Sequence, residues 1–281
     1  MGQPKRKEKD EPMETAAPVA SSTETAAKAP WERPTALPRA SIAAIVGAVL
    51  VFNLPLIHYF LLRGEPAATL TVPYGPQTFD APAVVETDFW SSGGMWRTVG
   101  GELLSPGVKN NPLWLKAKLP ENVAVEFDVR STSPEGDIKC EIFGDGSDHA
   151  SGYVLIHGGW NNSLSIIARL DEHGASLAAL QAEAGKVQRE KNLPDADLVK
   201  TGVFRENTRM RVEANPYPVT IGKTEHWRVE RRGSLLTWYI DGREFMRFDD
   251  PLPLKGKGHD RFGFSSWEAQ LYFDNLTVTP L

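Results

Sequence analysis

Residues 226–248 read HWRVERRGSLLTWYIDGREFMRF, and this stretch decides the fold class. Trp227 and Val229 alternate with Arg228 and Glu230, the run breaks at Arg232-Gly233, and Leu236, Trp238 and Ile240 resume it. Apolar residues at every second position turn one face of a strand to a core and the other to water. Asp241-Gly242 supplies a two-residue hairpin turn, because both central positions of a type I′ turn need positive φ. The stretch is therefore an antiparallel meander of three short strands.

Beyond the loop DDPLPLKGKGHD, the runs RFGFSSW and LYFDNLTV form a further pair of strands, so the sequence closes on strand rather than helix. Upstream, Val123, Val125, Phe127 and Val129 share one face of a cleanly alternating run. Further strands are expected at Ile138 to Phe143, Gly152 to His157 and Leu164 to Arg169. Residues 175–192, ASLAALQAEAGKVQREKN, are good helix formers and read as a short surface helix. Many short strands with little helix predict an all-β sandwich or barrel.

Residues 41–62, SIAAIVGAVLVFNLPLIHYFLL, contain no Asp, Glu, Lys or Arg. At helical rise they are long enough to cross a hydrocarbon core of roughly 30 Å, which predicts a single transmembrane helix. Lys28, Arg33 and Arg39 precede it closely, whereas only Arg63 follows before Arg97. Cytoplasmic flanks retain positive charge, so the amino terminus is expected in the cytoplasm and the downstream domain in the periplasm or outside the cell. The apolar run is longer than that of a signal peptide and follows a long polar tail, which favours an uncleaved anchor in the cytoplasmic membrane. Asn53, Pro55 and His58 lie within it, Pro55 reading as a kink and His58 as an interfacial side chain. The expected organisation is a disordered cytoplasmic tail over 1–40, the span over 41–62, a linker with the first strand over 63–83, and the sandwich over 84–281. Met1-Gly2 does not signal myristoylation, since position 6 is Arg.

The formal net charge of -5 offers no basic field and excludes a nucleic-acid partner. Cys140 is the only cysteine, so neither an intramolecular disulfide nor a cysteine-based zinc site is available. An exported domain without disulfides fits a bacterial envelope better than a eukaryotic secretory route.

Phe89-Trp90, the run WRTVGGELL (residues 96–104), the WYIDG hairpin and the closing FGFSSWEAQLYFDNLTV resemble the concanavalin A-like lectin/glucanase jelly roll. Within that superfamily the chain is most similar to the 3-keto-disaccharide hydrolase domain, related in fold to glycoside hydrolase family 16 and laminin G modules. The resemblance covers most of residues 84–281 and implies a concave sheet face with rim loops for a carbohydrate ligand. Family 16 enzymes carry Glu-x-Asp-x-x-Glu on one strand. Here Glu126-Phe127-Asp128 is followed by Ser131, so that motif is absent.

Three chemistries remain for the domain. Asp137 and Glu141 share one face of the strand DIKCE, with Lys139 between them, and are the candidate catalytic pair of a glycoside hydrolase; a solvated strand face is the plainer reading. Glu141, Asp145, Asp148 and His149 cluster about two glycines, with Trp160, Asn161 and Asn162 one strand later. Carboxylates and amides bind adjacent hydroxyls and an indole covers the apolar face of a pyranose, so Asp145, Asp148, His149, Trp160, Asn161 and Asn162 are the candidate sugar-binding residues. The competing reading places Trp160 in the core and makes Asp-Gly-Ser-Asp a mere turn. Asp145 and Asp148 also offer a calcium option, without the full EF-hand pattern. The histidines form no paired zinc spacing, and Asp171-Glu172-His173 reads as a solvated turn before a loop ligand. Trp227, Trp238 and Trp267 are expected in the core, the alternative being a glycan platform. The leading function is a membrane-anchored glycan-binding head, with hydrolysis of envelope polysaccharide and an assembly role with an envelope protein partner as alternatives.

Overall fold

The computed structural model describes residues 37–58, 67–91, 93–107, 109–193, 198–214 and 218–281. Most of the expected disordered tail, the last four residues of the expected span and the start of the linker lie outside these. The chain divides into two units, Met1–Arg63 and Gly64–Leu281.

In the first unit a 19-residue helix runs Arg39–Ile57 with Pro55 inside it. Its mean hydropathy is 2.3, and by length and composition it is able to cross a membrane. The Asn53 amide donates to the Val49 carbonyl at 2.7 Å, so this polar side chain is satisfied within its own helix.

The second unit is an all-β sandwich. Its strands are β1 (Tyr74–Gln77), β2 (Phe89–Ser91), β3 (Arg97–Val99), β4 (Glu102–Pro106), β5 (Leu113–Leu115), β6 (Val123–Ser131), β7 (Ile138–Gly144), β8 (Tyr153–Gly158), β9 (Leu164–Arg169), β10 (Ala175–Ser176), β11 (Met210–Ala214), β12 (Glu225–Arg232), β13 (Leu235–Ile240), β14 (Arg243–Asp249), β15 (Arg261–Ser265) and β16 (Gln270–Pro280). One eight-stranded sheet has the order β14-β13-β12-β6-β16-β4-β3, with β1 also on β16; the other has the order β10-β11-β9-β8-β7-β15-β5-β2. The two sheets stack as a jelly-roll β-sandwich. The meander forms as the alternation requires, and Asp241 and Gly242 take φ of 50° and 74° at its hairpin. The helix expected over 175–192 is Leu177–Glu190, buried through Leu177, Ala184 and Gln188. The closing strands β15 and β16 do not pair with each other: they lie in opposite sheets.

Between the sheets, Phe127 packs edge-on against Phe264 at 5.2 Å, Phe264 meets Phe273 at 4.3 Å, and Trp227 meets Trp238 at 4.4 Å. Large rings meeting here remove much apolar area from water, the main favourable term in folding. Trp227 and Trp238 are core residues as expected. Trp267 is not: it sits in the β15–β16 connection and is 47 % exposed.

The outer face of the second sheet positions the site. Register places Lys139 beside Ile156 and Ile166 in one row, and Glu141 beside Val154 and Ala168 in the next. The four apolar members of these rows form a second small cluster, separate from the inter-sheet core. Because side chains alternate, Ile138, Cys140 and Ile142 of the same β7 point inward and belong to the main core.

Candidate functional site

Two connections build the walls of a cavity on this outer face. Between β8 and β9 the chain turns left-handed, with φ of 51° at Trp160, 60° at Asn161 and 57° at Asn162. L-residues disfavour this region, asparagine least, and three in succession persist only where the surroundings hold them. Asn162 does the holding: its amide donates to the Val219 carbonyl at 2.9 Å and its Oδ1 accepts the Val219 N–H at 2.6 Å. The Ser163 hydroxyl donates to the Trp160 carbonyl at 2.6 Å. Trp160 is thereby held 40 % exposed, edge-on to His173 at 5.7 Å. On the β15–β16 side, the Trp267 backbone N–H donates to Asp137 Oδ2 at 2.8 Å, which ties the backbone that carries the second indole to the residue just before β7.

The cavity between these indoles is about 490 Å³ and is floored by Asp137, Lys139 and Ile156. Asn161 and Glu172 also line it, and Asn110, Glu135 and Glu268 complete its rim. Lys139 is only 2 % exposed, and a buried ammonium is costly unless partnered. Its Nζ lies 2.9 Å from Glu172 Oε1, 2.9 Å from Asn110 Oδ1 and 3.9 Å from Asp137 Oδ2. Glu172 also meets His149 Nε2 at 3.2 Å, and His149 Nδ1 meets Glu141 Oε1 at 2.5 Å. Asp137, Lys139, Glu172, His149 and Glu141 thus form a chain of alternating charge across the sheet.

This chain accounts for the shifted titrations. Burial opposes the charge on His149, but the Glu141 carboxylate and the contact to Glu172 outweigh it and raise the imidazole to about 9. Burial likewise opposes ionisation of Glu172, yet His149 and Lys139 lower it to about 2. Asp137 is raised, chiefly by burial, with Lys139 and the Trp267 N–H pulling the other way. A carboxylate held between two cations is a weak base and a weak nucleophile, so Glu172 suits positioning better than proton abstraction. The Glu172 contribution to stability is present above its ordinary value near 4.5 and is lost as pH falls through about 2. That of His149 is present below 6.5 and is lost as pH rises through about 9. Urea midpoints are therefore expected to be highest between those limits, and His149→Gln is expected to remove the alkaline fall; an unchanged alkaline limb in that variant would count against the charge chain.

The structure gathers only part of the sequence-predicted set. Asp137, Trp160 and Asn161 line the cavity. Glu141 does not: it is fully buried, with Oε1 on His149 and Oε2 accepting the Ala150 N–H at 2.8 Å. His149 lies behind Glu172, and Asn162 braces the turn. Asp145 and Asp148 stand apart in the β7–β8 connection, where Asp145 Oδ1 accepts from Ser147 N–H at 2.7 Å, Asp148 N–H at 2.8 Å and the Ser151 hydroxyl at 3.0 Å. That turn folds the connection back and carries His149 over the sheet. Among the described residues no group of three or more His, Cys, Asp or Glu is arranged to hold a metal ion. Nothing in the sequence marks Asn110, Glu135 or Glu268 as site residues, Lys139 reads there only as an interruption between two carboxylates, and Trp267, expected in the core, stands at the cavity instead.

No protein-family model matches the sequence, and no curated protein does. Solved structures similar to it include the carbohydrate binding module CBM66 from Bacillus subtilis, at 13 % identity and a TM-score of 0.46, covering 75 % of this chain and 98 % of that one. Another comes from work on endo-acting O-glycanases expressed by prominent members of the human gut microbiota, at 13 % identity and a TM-score of 0.47, covering 73 % and 98 %. The Emp47p carbohydrate recognition domain follows at 11 % identity and 0.41, covering 77 % and 93 %. At these identities and scores the likenesses say nothing of ligand or chemistry.

Proposed function

We propose that the chain is a glycan-binding sandwich carried on the outer side of a cytoplasmic membrane by the Arg39–Ile57 helix, with no hydrolytic step assigned to it. The observation that carries the reading is the pair of half-exposed indoles, Trp160 and Trp267, flanking an open cavity with a polar floor. Indoles left in water cost free energy and recur where an apolar sugar face stacks, while amides and carboxylates address the hydroxyls. The cavity is large enough for one or two pyranose rings. The finer resemblance to the 3-keto-disaccharide hydrolase domain belongs to this proposal and assigns no catalytic residue.

The test is glycan-array binding by the full chain in detergent, with and without calcium, followed by titration of the best ligand. Trp160→Ala and Trp267→Ala are each expected to weaken binding at least about tenfold, roughly 1.4 kcal/mol, with the circular dichroism spectrum unchanged. Absence of binding to every sugar would move the weight to an assembly role with an envelope protein. The anchor is tested separately: protease added to intact spheroplasts is expected to digest the sandwich, and full protection would overturn the orientation.

A further inference from the structure

Four carboxylates line the cavity, from Glu135, Asp137, Glu172 and Glu268. Lys139 and His149 answer Asp137 and Glu172, and Lys109 answers Glu268, which leaves Glu135 as the one without an ion pair among the described residues. The Lys139 ammonium is spent, its contacts being Glu172, Asn110 and Asp137. Glu135 is exposed at the rim and has no ion pair among the described residues, and Glu268 is held only by the exposed Lys109 at 2.8 Å. Both indoles already attract cations: the Arg211 guanidinium lies 5.8 Å from the Trp160 ring centre, and the Lys109 ammonium 5.9 Å from that of Trp267. Aromatic faces beside an unpaired carboxylate stabilise an ammonium and disfavour an acid.

We infer that the cavity takes glycans carrying free amines, glucosamine units without the N-acetyl group, in preference to neutral or acidic sugars. This narrows the glycan reading above and rests on it. The ring stacks on the indoles as any pyranose does, and the amine gains a charge-assisted hydrogen bond at Glu135 that an acetamide or a hydroxyl does not match. A uronate would bring its own carboxylate against the unpaired one of Glu135.

The test is calorimetric titration of the full chain in detergent micelles with the glucosamine tetramer, its fully N-acetylated counterpart and the galacturonate tetramer, at about pH 5.5 where a free amine is protonated. The glucosamine tetramer is expected to bind at least about tenfold more tightly than the N-acetylated one, with no heat from galacturonate and with the preference shrinking as salt rises. Glu135→Gln, an exposed isosteric change, is expected to cut that preference severalfold. Equal or tighter binding of the N-acetylated or galacturonate tetramer overturns the inference and leaves the glycan reading standing. No binding of any of the three, together with a silent array, overturns both. Tetralysine binding as tightly as the glucosamine tetramer overturns it in favour of a peptide ammonium.

Discussion

Replacing Arg169 with alanine is expected to cost the sandwich roughly 3–5 kcal/mol, read as a shift in urea midpoint at constant slope. Arg169 on β9 is 1 % exposed and Asp250, just beyond β14, is 0 % exposed. They meet at 2.8 Å, and Asp250 also accepts the Tyr153 hydroxyl at 2.6 Å. The guanidinium further donates to the carbonyls of Glu206 at 2.9 Å, Thr208 at 2.6 Å and Leu252 at 3.1 Å. One side chain therefore ties a strand of the second sheet to the segments that follow a strand of the first and precede β11. Removing it leaves a buried carboxylate uncompensated and three carbonyls without a donor, the arrangement that carries the greatest penalty. The double change Arg169→Met with Asp250→Leu is expected to cost less than the sum of the two single changes, since neither charge is then stranded. A loss below about 1 kcal/mol in Arg169→Ala would show that the brace contributes little.

Lys139→Ala carries the second large effect, again roughly 3–5 kcal/mol, because Glu172 and Asp137 lose the cation between them and Lys139 itself is only 2 % exposed. Here the signature is spectroscopic as well as thermodynamic. Lys139 is one of the groups that lower the Glu172 carboxyl. Its removal is expected to move Glu172 back toward the ordinary carboxylate range, a change visible in a carbon-detected pH titration. Lys139→Met combined with Glu172→Gln is expected to recover part of the stability while leaving the cavity walls in place. A Glu172 carboxyl that titrates as before in Lys139→Ala would place the controlling cation elsewhere.

Most of the sandwich was legible because its strands alternate. The Val123–Val129 run, the 226–248 meander and the closing strands each carry the period of two, and hairpin glycines mark their turns. The site was less legible for a physical reason. β7 buries both of its faces: Asp137, Lys139 and Glu141 read as a solvated face, although Glu141 sits under the β7–β8 connection, Lys139 under Glu172 and Asp137 against the Trp267 backbone. No periodicity signals a polar row covered by loops. Trp160 was readable from its Gly-Gly-Trp-Asn-Asn context, since consecutive turn-prone residues announce an exposed connection. Trp267 follows an apolar run and took on its inward assignment, although Glu268 beside it marks the chain leaving the strand. Glu172 and Asn110 reach the site only through tertiary contacts with a lysine about thirty residues away in sequence, which no local pattern encodes.

The placement of β15 and β16 bears on biogenesis. β15 lies between β7 and β5 in one layer, and β16 between β6 and β4 in the other. Without these two strands each layer is two half-sheets with unpaired inner edges. A polypeptide whose layers close only when these two strands join can be threaded through a translocation channel before it folds, which is the order that the proposed placement across a bilayer would require.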